Sequence, residues 1–119
     1  SPDGTLLKLE TPEVVIPSYE GEMGILKDHI PLITFLRPGL IKIKDNDETS
    51  FFVEEGTVEF ANNNLLILTS TAKELSAIDQ SSLQKQITEA EKKMSDDSLS
   101  DKKKYLLSYK INTLKNINR

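Results

Sequence analysis

The residues with chemical potential lie close together in the first third of the chain: Glu20-Gly21-Glu22, and a little further on Asp28-His29. Two carboxylates around a glycine that tolerates positive φ, with Gly24 adding further freedom, predict an acidic turn tip. Paired carboxylates serve general acid–base catalysis or a divalent cation, but no nucleophile and no further ligands accompany these two. The plainer alternative is a solvated turn. His29 is the only histidine. Set between Asp28 and the apolar Ile30-Pro31-Leu32, it admits three readings: a pH switch, a metal ligand or a hydrogen-bonded structural residue, of which the last is the commonest. With no cysteine in the chain, disulfides, thiolate zinc sites and cysteine nucleophiles are excluded. The expectation is no catalytic residue, no metal site and no cofactor.

The elements that must position these residues change character once along the chain. All 5 glycines and all 5 prolines fall before residue 57. In that region short strands are expected at Leu6–Leu9, Val14–Ile16, Pro31–Phe35, Gly39–Lys44, Ser50–Val53, Thr57–Phe60 and Leu65–Thr69. Ile41 and Ile43 alternate with lysines, and Val58 and Phe60 with Thr57 and Glu59, so these strands have one wet face. Asp45-Asn46-Asp47-Glu48 and Ala61-Asn62-Asn63-Asn64 carry turn chemistry and read as hairpin loops. Pro38-Gly39 reads as a turn with Gly39 at positive φ. So many short strands must close on themselves to bury their apolar faces, which predicts an antiparallel β-sandwich over 1–77.

From residue 78 the period becomes helical. Asp79, Ser81 or Ser82 can cap a helix over about 80–94, whose seam is Leu83, Ile87, Ala90 and Met94. Ser95-Asp96-Asp97-Ser98 breaks it, and Ser100 or Asp101 caps a second helix over about 100–117. At about 100° per residue, Leu106, Leu107, Ile111, Leu114 and Ile117 share an arc of roughly 140°. The expected fold class is α+β, a β-sandwich followed by an antiparallel two-helix hairpin over 78–119.

Composition sets further limits. Hydrophobic residues at 37% and charged residues at 29% describe a folded chain, and no run approaches the roughly 20 apolar residues of a membrane span. Ser1–Gly4 has neither the basic nor the apolar part of a secretory leader. Residues 1–77 hold 6 basic and 13 acidic side chains, whereas 78–119 hold 9 basic and 6 acidic. An acidic sandwich does not favour nucleic acid, and the C-terminal lysines are not interleaved with stacking aromatics.

One stretch is more specific than any of this. Glu20-Gly21-Glu22-Met23-Gly24-Ile25-Leu26-Lys27-Asp28-His29-Ile30-Pro31-Leu32, followed by Leu36-Arg37-Pro38-Gly39, resembles the signature of the epsilon-subunit family of the F-type ATP synthase, called delta in mitochondria. Val53–Phe60 before an Asn-rich turn, the Ile67-Leu68-Thr69 strand, and a helical hairpin introduced by Ile78-Asp79 agree with it. The resemblance implies a non-catalytic rotor-stalk subunit, peripheral to the membrane on the cytoplasmic face of the bacterial inner membrane. Its sandwich would bind the gamma subunit along one face and the c-ring at a loop end, with Glu20, Gly21, Glu22, Gly24 and His29 as contact candidates. The hairpin would fold on the sandwich or extend into the catalytic alpha/beta head and inhibit ATP hydrolysis. Lys102, Lys103 and Lys104 are the candidates for that contact, because the head presents acidic segments in the family.

The chain departs from the family at three places. About ten residues usually separate the elements that here run together as Thr11-Pro12-Glu13 and Val14-Val15-Ile16; a lost hairpin and a stretch left out at this point both fit. Glu55 replaces one glycine of a pair, and Thr57 the usual aromatic. Some bacterial relatives bind ATP through Ile/Leu-Asp-x-x-Arg-Ala, but Ile78-Asp79-Gln80-Ser81-Ser82-Leu83 has Ser82 where the phosphate-pairing arginine would stand. The rival reading, a free-standing sandwich binding module dimerised by its helices, lacks a sugar-stacking platform, since aromatics are 6% and tryptophan is absent. Titration with millimolar ATP in a calorimeter is expected to give no saturable heat, and a saturating isotherm would contradict the reading of Ser82.

Overall fold

The computed structural model describes residues 5–10, 13–45 and 47–117. The expectations for Ser1–Gly4, Thr11-Pro12 and Asn46 fall outside those residues. The chain forms two compact units, Ser1–Leu75 and Ser76–Arg119.

Among the described residues the first unit is a sandwich of nine strands: β1 (Thr5–Glu10), β2 (Val14–Ser18), β3 (Gly21–Ile25), β4 (Leu32–Leu36), β5 (Gly39–Asp45), β6 (Asp47–Val53), β7 (Gly56–Ala61), β8 (Asn64–Thr69) and β9 (Lys73–Glu74). The ladder runs β1-β8-β7-β4-β2-β5-β6-β9, with β3 paired to β2, and every pairing is antiparallel. Ile41 and Val53, from the β5–β6 limb, share one buried cluster with Val58, Phe60, Leu65 and Ile67 from the β7–β8 limb. The ladder therefore folds over into two layers around one core.

β2 joins the layers. Val14 and Val15 pair with β5, and Ser18 pairs with β4. Buried between neighbours, β2 reads as the near-continuous apolar run Val14-Val15-Ile16-Pro17 rather than an alternation. On the side facing β4 and β5, Lys44 N–H donates to Glu13 O (2.9 Å), Arg37 N–H to Pro17 O (3.0 Å) and Tyr19 N–H to Phe35 O (3.2 Å). Pro17 sits at the handover and brings a carbonyl but no N–H. Pro17 thus leaves no N–H of its own to be paired where β2 leaves one limb for the other.

Gly39 is needed at the same place for space. Its φ is not positive, contrary to the expectation for a Pro38-Gly39 turn. Instead a Cβ on Gly39 would lie 2.5 Å from the Pro17 Cβ. Gly56, the first residue of β7, does need its freedom: φ is +154°, and a Cβ would come within 2.6 Å of Leu68 O. The Asn62-Asn63 turn behaves as its residues demand, with φ of 52° and 61°, the two positive values of a type I′ hairpin.

After a 3₁₀ turn (Leu75–Ala77), the second unit consists of α1 (Gln80–Met94) and α2 (Asp101–Lys115). Of the three candidate caps Asp79 starts α1, its carboxylate accepting from Ser82 N–H at 2.7 Å; Ile78 and Leu83, at the two positions of a hydrophobic staple, are both buried. Ser100 caps α2 through Lys103 N–H. Between the helices, Asp96 accepts from both the hydroxyl and the N–H of Ser98. Chiefly the hydroxyl, then the N–H, with Lys104 adding to them, hold the Asp96 carboxyl below the usual aspartate range. Leu83, Ile87 and Ala90 are buried on α1, but on α2 only Leu114 is. Lys115 meets Glu91 at 2.9 Å across the pair, an exposed bridge worth about 0–1 kcal/mol. No helix among the described residues is long and apolar enough to cross a membrane.

Three glycine-to-alanine substitutions should separate these roles in urea unfolding. Gly39→Ala, which overpacks Pro17, and Gly56→Ala, which is strained and crowded, should each cost roughly 1–3 kcal/mol or more. Gly24→Ala, with nothing within 4 Å of its Cβ position, should cost far less. Equal losses at all three would show that close approach is not what Gly39 provides.

Candidate functional site

β3 determines where the chemical residues lie. It was not expected as a strand: only Glu20, with Tyr19, forms the turn, while Gly21 opens β3 at φ +117° and Glu22 and Gly24 lie along it, exposed. The acidic tip is therefore one turn carboxylate and one strand carboxylate, and Gly24 lends no turn freedom because its φ is not positive. The buried Ser18 shapes this turn, donating to Gly21 O (2.7 Å) and accepting from Glu20 N–H (3.2 Å). Among the described residues no group of three or more His, Asp or Glu is placed to hold a metal ion.

His29 lies at the other end. β3 runs antiparallel to β2 from Gly21 to Ile25, and five strand residues span on the order of 15–20 Å, so the candidate contact residues are divided between the two ends of the sandwich. The His29 ring is half-buried, its Nδ1 is 2.8 Å from Ile30 O, and it stands edge-on to Phe60 with centroids 6.0 Å apart. Facing a carbonyl oxygen, Nδ1 acts there as an N–H donor, and the ring has an apolar neighbour in Phe60.

Beside it is a contact that sequence reasoning missed. Asp28 N–H donates to Asn63 Oδ1 at 2.7 Å, and Asn63 Nδ2 donates back to Asp28 Oδ1 at 3.2 Å. Both residues have positive φ, 64° and 61°. The loop after β3 is thereby latched to the β7–β8 turn. Beyond the latch Leu26 and Ile30 are exposed, Ile30 to 75%. An Asp and an Asn each suited to left-handed backbone was the available signal, but their partnership spans 35 residues.

The outer face of β4, β7 and β8 carries a second feature. Ile33 is 73% exposed, Phe35 59% and Leu68 50%, with Tyr19 at 42% nearby in the sequence of the β2–β3 turn. Phe35 is paired with Thr57 and Thr57 with Leu68, and the next row is Ile33, Glu59 and Leu66. Strand alternation puts these two rows on one surface, and a shallow cavity of about 440 Å³ opens there, lined by Tyr19, Phe35, Thr57 and Leu68 among others. Ile33, Phe35 and Leu68 are thus exposed, with half-buried Leu66, on either side of Thr57 and Glu59, an apolar cluster of the kind that marks interaction surfaces.

The beta-sandwich domain of the ATP synthase delta/epsilon chain matches residues 1–75. The chain belongs to the ATP synthase delta/epsilon family. An ATP synthase epsilon chain of Pelagibacter ubique is 46% identical over 114 residues, covering 95% of this chain and 88% of that one. A chloroplastic ATP synthase epsilon chain of Pyropia yezoensis is 37% identical over 112 residues, covering 93% and 83%. In fold, the chain is similar to one in a mitochondrial ATP synthase structure of Euglena gracilis, with a TM-score of 0.66 at 22% identity, covering 88% of this chain and 66% of that one.

The other family-derived candidates fall in the helices. Ser82 occupies the third position of α1, where its N–H is spent on the Asp79 cap. Lys102 and Lys103 are exposed in the first turn of α2, and Lys104 is half-buried. In this delta/epsilon-family chain, Asn63→Gly, which keeps the backbone conformation but deletes the latch, should cost about 1–2 kcal/mol and speed hydrogen exchange at the Asp28 amide. Unchanged exchange there would mean that the latch does not hold the loop.

Proposed function

We propose that this chain is a non-catalytic subunit of the central stalk of an F-type ATP synthase, coupling rotation of the c-ring to the gamma subunit. The observation that carries the reading is the apolar outer face of β4 and β8, which supplies a docking surface where no reaction chemistry is assembled. Gamma is assigned to this face. The c-ring is assigned to the end bearing Glu20, Gly21, Glu22 and the exposed strand β3, whose free edge and small Gly24 allow close backbone approach. His29, at the opposite end, belongs on this reading to the rim of the gamma contact. The protein is peripheral to the membrane through these partners, on the cytoplasmic face in a bacterium.

The helical unit is assigned the inhibitory role. Residues 78–119 carry more basic than acidic side chains, and α2 keeps only Leu114 buried, so a partner surface has both charge and half-buried apolar area to gain. Lys102, Lys103 and Lys104 are the residues offered to an acidic segment of the catalytic alpha/beta head.

In a reconstituted complex the two assignments are tested separately. Phe35→Ser combined with Leu68→Ser should weaken gamma binding about 10-fold or more, about 1.4 kcal/mol, with little loss of stability because both side chains are exposed. Reversing Lys102, Lys103 and Lys104 to Glu should raise ATP hydrolysis toward that of a complex lacking residues 80–119. Undiminished gamma binding would remove the docking face, and hydrolysis unchanged by both the reversal and the truncation would remove the inhibitory role.

A further inference from the structure

Glu59 is the one charged residue in β4, β7 and β8. Register sets it in the middle of their outer face: Ile33 pairs with it from β4 and Leu66 from β8, while Thr57 and Ala61 lie on either side of it along β7. Its side chain is exposed. Among the described residues the carboxylate has neither a hydrogen-bond nor an ion-pair partner. Lys8 shares the row but stands beyond Leu66, two strand spacings or roughly 9–10 Å away between backbones. A shallow cavity of about 540 Å³ is lined by Glu59 with Pro31, Leu32, Ile33, Phe60 and Ala61. The side chains around the acid are all apolar.

We infer that Glu59 determines the specificity of the docking face, and that the cavity beside it receives a lysine or arginine side chain of gamma. A partner that covers Ile33, Phe35 and Leu68 must cover Glu59 as well, because β7 runs between β4 and β8. Withdrawn from water without a countercharge, a carboxylate costs more than the apolar contacts beside it return. The partner must therefore bring a cation. A long basic side chain suits the place on two counts: its methylene stem lies against Pro31, Ile33 and Ala61, while its head reaches the carboxylate. A divalent metal ion does not suit it, since one carboxylate supplies too few oxygens and no cluster of acids or histidine forms among the described residues. Glu59 also acts by exclusion. An apolar or acidic surface that matched the face in shape would strand or repel the charge, so the residue that admits gamma turns away other partners, a second copy of this face included. The inference deepens the gamma reading above and rests on it.

Calorimetric titration of the full chain with the gamma subunit of its complex tests it. Glu59→Gln, close to the original in shape, should weaken binding about 10-fold or more, and Glu59→Lys about 100-fold or more. Both variants should unfold in urea as the unaltered chain does, since the side chain at 59 is exposed. Phe35→Ser with Leu68→Ser, run in parallel, separates the inference from the reading beneath it. If that serine pair weakens binding while both Glu59 variants bind as the unaltered chain does, the gamma face stands and the role of Glu59 is wrong. If the serine pair binds undiminished, the reading fails and takes the inference with it. Tighter binding by Glu59→Gln, or a dimer of that variant on sizing with its gamma affinity unchanged, would mean that the acid only keeps free copies apart, which also overturns the inference. Should Glu59→Lys not fold, Glu59→Gln decides alone.

Discussion

Two sheets that share a strand need one place where that strand can leave the first without stranding its hydrogen bonds, and here that place is Pro17 against Gly39. Pro17 offers a carbonyl to Arg37 and withholds a donor that neither limb is positioned to accept. Gly39 lets the start of β5 come within a distance at which any side chain would collide with the proline ring. Because among the described residues β2 alone links β4 and β5 in the ladder, the core made by Ile41, Val53, Val58, Phe60 and Ile67 depends on this contact. So does the outer face of Phe35 and Leu68, since β4 carries Phe35 and reaches the strand of Leu68 through β7.

What could be read from the sequence divides along the range of the forces involved. The helices, their caps at Asp79 and Ser100 and the Asn62-Asn63 hairpin follow from neighbours within four residues, and these are legible. β3 was missed because Gly21 and Gly24 lower strand propensity, while its strand state comes from pairing with β2. Pro38-Gly39 had the composition of a turn with positive φ, yet Gly39 answers to a proline elsewhere in the chain. The Asp28–Asn63 latch, 35 residues apart, has no signature beyond two residue types that tolerate the same backbone.

The candidate site was legible as a family motif and illegible as a place. A contiguous run from Glu20 to His29 suggests one contact surface, but β3 carries the chain from one end of the sandwich to the other. The apolar face drew no notice, because Phe35 and Leu68 look like ordinary strand residues until register shows which way they point. Exposure, rather than residue type, marks that surface.

β1 has a consequence for the order in which the molecule can be made. Among the described residues it pairs with β8 alone, and Glu10 and its partner Asn64 are separated by more than fifty residues of chain. At about 5–20 residues per second of synthesis, that interval is on the order of 3–10 s. Throughout it β1 waits for its partner strand. Among the described strands, the edge that completes the sandwich is thus the one that waits longest for its partner during synthesis.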